Sequence, residues 1–103
     1  MKKILFVCNQ GQNRSPTAAK LFSKKYETDY TGIYSDEKIK DKLIWADEIV
    51  CMESSHRKFI AEEYPREYMM KKIITLEIPD IYKTDQEELI ELLKKQVKIK
   101  CVL

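Results

Sequence analysis

Four consecutive apolar residues, Ile4-Leu5-Phe6-Val7, run into the polar, glycine-containing stretch that begins at Cys8. A short unbroken run of this kind marks a strand buried on both faces where it feeds a loop. From Ser15 onward the apolar residues Ala18, Ala19, Leu21, Phe22 and Tyr26 recur at helical spacing, with Pro16 where a first turn tolerates it. Residues 30–34 predict a short second strand, and Ser35 or Asp36 can cap a helix carrying Ile39, Leu43 and Ile44 on one face. Residues 48–52 read as a buried strand, and Ser54 or Ser55 as the cap of a helix with Phe59, Ile60 and Tyr64 on its inner side. Residues 73–76 form the next strand. Thr84-Asp85-Gln86-Glu87 has the capping-box pattern and precedes Leu89, Ile90, Leu92, Leu93 and Val97, again at helical spacing. The stretch with Tyr68, Met69 and Met70 reads as core or loop packing.

Strands alternating with helices imply an α/β architecture, a mainly parallel sheet with helices on both faces, because parallel neighbours need crossover connections. In such sheets ligands bind beyond the carboxyl ends of the strands. At 103 residues the chain is expected to form one domain, residues 1–103. Nothing in it resembles a repeat or a linker, and glycine occurs only twice.

The loop after the first strand reads Cys8-Asn9-Gln10-Gly11-Gln12-Asn13-Arg14-Ser15-Pro16. A loop of this length, closing from a strand end onto a helix N-terminus, can turn the N–H groups of Asn9, Gln10, Gly11, Gln12 and Asn13 inward as an anion-binding nest. Gly11 allows a positive φ in mid-loop, and Arg14 can hold two oxygens of a phosphate in a bidentate pair. The same field favours a thiolate at Cys8, whose unperturbed pKa near 8.5 would leave it mostly protonated at neutral pH. Ser15 is placed either to donate a hydrogen bond to that sulfur or to cap the helix.

Residues 4–22 resemble the active-site segment of the low-molecular-weight protein tyrosine phosphatases, on the strength of a cysteine, five residues and Arg-Ser-Pro at the end of the first strand. The resemblance implies a three-layer, flavodoxin-like fold with a four-stranded parallel sheet, a phosphocysteine intermediate, no metal or other cofactor, and an aspartic acid near the last helix as general acid. Asp80, in Ile78-Pro79-Asp80-Ile81-Tyr82, takes that position, although Pro precedes the aspartate where the family has it following; Asp85 and Glu77 are the alternatives. Tyr82 would line the substrate entrance or pack at the edge of the core. Residues 46–53 look like the family's third strand. The chain departs from the family in having Asn13 where a second cysteine often lies, which removes a protective disulfide, and Gly11 where an asparagine is usual. It is also shorter, with the loss expected between the second strand and Trp45, so the substrate rim transfers least.

His56 and Arg57 stand at a helix start after the third strand, where they would be solvated first-turn residues or reach the substrate rim. Cys51, inside an apolar strand, reads as a buried structural thiol, and Cys101 as incidental. Three widely spaced cysteines give neither a metal motif nor a disulfide framework. Lys94, Lys95, Lys98 and Lys100 form a solvated helix face. With 44% hydrophobic and 35% charged residues the chain is expected to fold, and its net charge of +2 argues against nucleic acid as a partner. With no apolar stretch of membrane length and no signal-peptide pattern, a cytoplasmic protein is expected. The implied partners are phosphorylated proteins, with phosphotyrosine as the family's substrate class, or small phosphomonoesters. Arsenate reduction needs two further cysteines close together, which Cys51 and Cys101 are not. A phosphocysteine carrier and a silent phosphate-binding module remain the alternatives to an enzyme.

Overall fold

The apolar run at the start of the chain becomes β1 (Lys3–Cys8), and its lack of any polar alternation has a simple cause: residues 4–8 are buried on both faces of the sheet. The computed structural model describes residues 1–34 and 38–100. In chain order β1 is followed by α1 (Arg14–Leu21), β2 (Glu27–Gly32), α2 (Ile39–Trp45), β3 (Glu48–Cys51), α3 (Ser54–Glu63), α4 (Pro65–Met70), β4 (Lys72–Thr75) and α5 (Glu87–Lys100). The four strands are all parallel, in the order β2-β1-β3-β4.

Two apolar layers sandwich this sheet. Ile4, Phe6 and Val50 point to one face, where Ala18 and Ala19 of α1 meet Leu89, Leu93 and Val97 of α5. Leu5, Val7, Ile49 and Cys51 point to the other, against Ile39 and Leu43 of α2 and Ile60 of α3. Adjacent strand residues thus serve opposite layers, as the pleat requires. The architecture is the expected three-layer α/β sandwich with a four-stranded parallel sheet.

The chain leaves β1 for β2 on one side of it and later enters β3 on the other. The carboxyl ends of β1 and β3 therefore flank a topological switch point, where loops diverge and leave a crevice.

Several local expectations give way to tertiary context. The second strand is Glu27–Gly32, not residues 30–34: it pairs in register from Lys3↔Glu27 to Cys8↔Gly32, and Ile33 and Tyr34 lie beyond it in a turn. It is an edge strand whose first four residues are partly or wholly exposed, so polar Glu27, Thr28 and Asp29 are tolerated in it. Ile44 does not join Ile39 and Leu43 on the inner face of α2 but is 55% exposed, because only the i,i+4 pair can face the sheet in so short a helix. Residues 65–70 form α4, and Met69 and Met70 project into solvent, not into a core.

Neither Ser54 nor Ser55 caps α3; the N-cap is Glu53. Thr84 does not cap the last helix, which begins at Glu87, because its hydroxyl is engaged elsewhere. The expected caps Ser35 and Asp36, and Cys101, lie outside the described residues. The lysines at 94, 95, 98 and 100 are exposed on α5 as expected. No described helix is long and apolar enough to cross a membrane.

Candidate active site

Cys8 closes β1, and the five residues after it curl back to meet α1 at its first residue, Arg14. Gly11 turns the loop with φ +67°. In that left-handed conformation a side chain would be strained, and a Cβ would also stand 2.9 Å from the Gly32 nitrogen. Gly32 is under the same constraint from the opposite side: a Cβ there would lie 2.3 Å from the Gln10 carbonyl carbon and 2.6 Å from the Gly11 nitrogen. The two glycines of the sequence are thus pressed together, and the end of β2 forms the floor on which the loop rests. Pairing continues past the strands, where the Ile33 and Tyr34 N–H groups donate to the Cys8 and Asn9 carbonyls at 3.0 and 3.1 Å.

The Gly11 N–H points at Cys8 Sγ at 3.2 Å, and Ser15 Oγ lies 3.0 Å from the same sulfur. Ser15 sits in the first turn of α1, with Asn13 in the cap position, so its hydroxyl serves the sulfur. It also stands 3.5 Å from the Thr31 carbonyl. The hydroxyl can therefore donate to a thiolate, or turn to Thr31 and accept from a thiol.

Arg14 is 1% exposed, and its guanidinium is fixed from behind. Nη1 donates to Glu53 Oε2 at 2.6 Å and to the Ile78 carbonyl at 2.7 Å, while Nε faces Asp80 Oδ1 at 3.7 Å. Glu53 neutralises a cation that would otherwise be costly to bury.

Beyond β4 the chain stays laid against the end of β3. The Leu76 and Ile78 N–H groups donate to the Cys51 and Met52 carbonyls, and both side chains are fully buried. Pro79 and Asp80 then emerge over the loop. Cys8, Asn9, Gln10, Gln12, Asn13, Arg14 and Asp80 line one cavity of about 90 Å³. That is room for a few water-sized groups, on the scale of one tetrahedral oxyanion.

The alternative acids lie elsewhere. Glu77 pairs with Lys100 at 3.8 Å, and Asp85 with Lys20 at 3.3 Å. Tyr82 does not line the cavity; it packs, partly buried, against the core layer of α1 and α5. His56 is neither solvated nor at a rim. It is fully buried, its Nδ1 accepts the Glu53 N–H at 3.0 Å, and its Nε2 stands 2.7 Å from Asn9 Oδ1. Burial, and next the Arg14 guanidinium, lower its pKa to about 4 against the opposing pull of Glu53 and Asp80, so the ring is neutral at pH 7. Arg57, by contrast, is exposed and touches Tyr68. Cys51 is fully buried on the opposite face from Cys8, and desolvation pushes its thiol up to about 12.

Glu53, His56, Gly32 and Thr84 belong to this site although the loop sequence does not announce them. The Thr84 hydroxyl reaches the Gln12 carbonyl at 2.8 Å and Asn13 Oδ1 at 2.6 Å, and the Asp85 N–H donates to Thr17 Oγ1. These bonds tie the segment carrying Asp80 to the loop and to α1. His56 was expected as a solvated or rim residue and Thr84 as a helix cap; for Gly32 the available signal is that a glycine ending a strand often marks close approach of another backbone.

No protein-family model matches the chain, and no curated protein sequence does. Solved structures do. The low-molecular-weight protein tyrosine phosphatase of T. tengcongensis superposes with a TM-score of 0.73 at 19% identity, covering 96% of this chain and 95% of that one. The tyrosine phosphatase Wzb of Escherichia coli K30, solved in complex with phosphate, gives 0.73 at 21% over 96% and 95%. The arginine phosphatase YwlE of Geobacillus stearothermophilus gives 0.69 at 21% over 98% and 94%. At these identities the likeness is one of fold, and the fold of this chain is that of the low-molecular-weight tyrosine phosphatases.

Proposed function

We propose that this chain is a cysteine-dependent phosphate monoester hydrolase, acting on phosphorylated protein, with phosphotyrosine as the leading substrate class. The observation that carries the reading is convergence: a cysteine sulfur, a buried guanidinium and an exposed carboxylate border a single cavity of about 90 Å³. Enzymes that remove phosphate from tyrosine and from arginine share the fold.

In this reading the loop N–H groups and the Arg14 guanidinium hold the phosphoryl oxygens, while Cys8 Sγ attacks phosphorus in line with the leaving oxygen. The S–P bond forms as the P–O bond breaks, and Asp80 gives its proton to the departing oxygen. Asp80, now a carboxylate, takes a proton from the water that attacks phosphocysteine. The S–P bond breaks, inorganic phosphate leaves, and the Ser15 hydroxyl receives the returning thiolate at 3.0 Å. A reduced Cys8 is required, which fits action in the cytoplasm.

Turnover of p-nitrophenyl phosphate in EDTA tests the reading. Cys8→Ser is expected to abolish turnover. Arg14→Lys, which keeps the charge and loses the fork, and Asp80→Asn should each cost roughly 100-fold or more in kcat. Sustained hydrolysis by Cys8→Ser would overturn the mechanism, and a stoichiometric phosphoenzyme that never turns over would make the protein a phosphocysteine carrier.

A further inference from the structure

The phosphate loop has no side chain at its midpoint, because Gly11 stands there, and Asn9 and Asn13 tie it to the segments on either side. Asn13 meets Thr84. Asn9 meets His56, the sole histidine of the sequence, which is buried and stands 47 positions away. His56 does not itself line the cavity and takes no part in the chemistry proposed above.

Its polarity is fixed by what surrounds it. Because Nδ1 accepts the Glu53 N–H, the ring proton of the neutral form resides on Nε2 and must be donated to Asn9 Oδ1. The Glu53 residue whose N–H orients the ring also holds Arg14 through Oε2. One turn at the head of α3 therefore reaches both ends of the loop: Asn9 through the imidazole, and Arg14 through the carboxylate.

We propose that His56 is a positioning residue for oxyanion binding, holding the first residue of the loop, through Asn9, in register with the Arg14 guanidinium that Glu53 holds at the other end. This rests on the reading of the loop as a phosphate cradle. The energetic logic is preorganisation: successive N–H groups bind an anion well only when already turned inward, and a loop centred on glycine does not hold that shape by itself.

The test is the affinity for inorganic phosphate, measured by calorimetry and as competitive inhibition of p-nitrophenyl phosphate turnover. The variants are Asn9→Ala, His56→Asn, His56→Gln and the double variant Asn9→Ala/His56→Asn. Asparagine at 56 retains an acceptor for the Glu53 N–H but cannot span to Asn9; glutamine places a donor near the former Nε2. Asn9→Ala and His56→Asn are each expected to weaken phosphate about tenfold, and the double variant to be no worse than either single one. His56→Gln should recover most of the affinity.

Melting temperatures separate positioning from folding, and Asn9→Ala, in a surface loop, keeps the test open should a His56 variant fold poorly. Unchanged phosphate affinity in folded Asn9→Ala, or additive losses in the double variant, would overturn the inference. A wild type that binds phosphate without hydrolysing ester would sink the hydrolase reading while the affinities still judged His56. Absence of phosphate binding by the wild type would overturn both.

Discussion

A neutral imidazole buried beside a guanidinium makes folding sensitive to mild acid. The ordinary histidine pKa of 6.5 falls to about 4 in the folded chain, where His56 is faced by Arg14, Glu53 and Asp80. Above pH 6.5 neither state is protonated and stability is complete. As pH falls below 6.5 the unfolded chain takes up a proton that the folded chain refuses, so stability declines until the folded value near 4 is passed. Between pH 6.5 and about 5 the loss attributable to His56 is on the order of 1–2 kcal/mol, and urea midpoints of wild type against His56→Gln should show that difference in slope. Parallel pH profiles would mean that the ring titrates normally. The residues proposed to carry the chemistry were legible because their relation is local: Cys8, Arg14 and Ser15 share one loop, and spacing brings them together. Glu53 was not, and His56 was read only as a solvated or rim residue, because their partners stand 39 and 47 positions away and only the fold brings the head of α3 beside the loop.

At the level of elements, hydrophobic pattern located β1, β3 and β4 and most helices, and failed where an element is held by its neighbours more than by its own residues. Edge strand β2 buries only Thr31 and Gly32, so it left almost no apolar trace. The capping signature at Thr84 was real as a pattern but lost to a competing partner, since the same hydroxyl bonds the Gln12 carbonyl. Asp80 was singled out through the family resemblance, which implies an aspartic acid between the last strand and the last helix, and the structure brings it, and neither Glu77 nor Asp85, to the cavity. The junction of β2 with the loop makes a sharp prediction. Gly32→Ala puts a methyl group 2.3 Å from the Gln10 carbonyl carbon, so backbone must move. Overpacking of this kind costs roughly 1–3 kcal/mol. Thermal unfolding should register that loss together with a weaker Ki for phosphate, and an alanine variant with wild-type values of both would show that the loop does not rest on β2.

For the molecule as a whole, alternation of strand and helix sufficed to predict a parallel sheet clothed on both faces, because that is how parallel strands can be connected. Strand order was not legible in the residues themselves; it is set by which side of β1 each crossover takes, and the two layers of Ile4 and Leu5 accept either. The buried apolar residues gather in those two layers, one on each face of the sheet. Of the four strands, β2 has a single neighbour, and that neighbour is β1. A border strand frays more readily than an interior one. Yet this border carries the surface under the loop proposed to bind phosphate, so detaching it would collapse that loop before the rest of the sheet came apart. Occupancy and fraying must then oppose each other: saturating phosphate should slow deuterium uptake at the amides of Thr31 and Gly32 more than at those of β4, the other margin of the sheet. Equal slowing at both margins would contradict it. A ligand that never touches β2 would thus act as its clasp, and loss of anion affinity would be an early sign of unfolding.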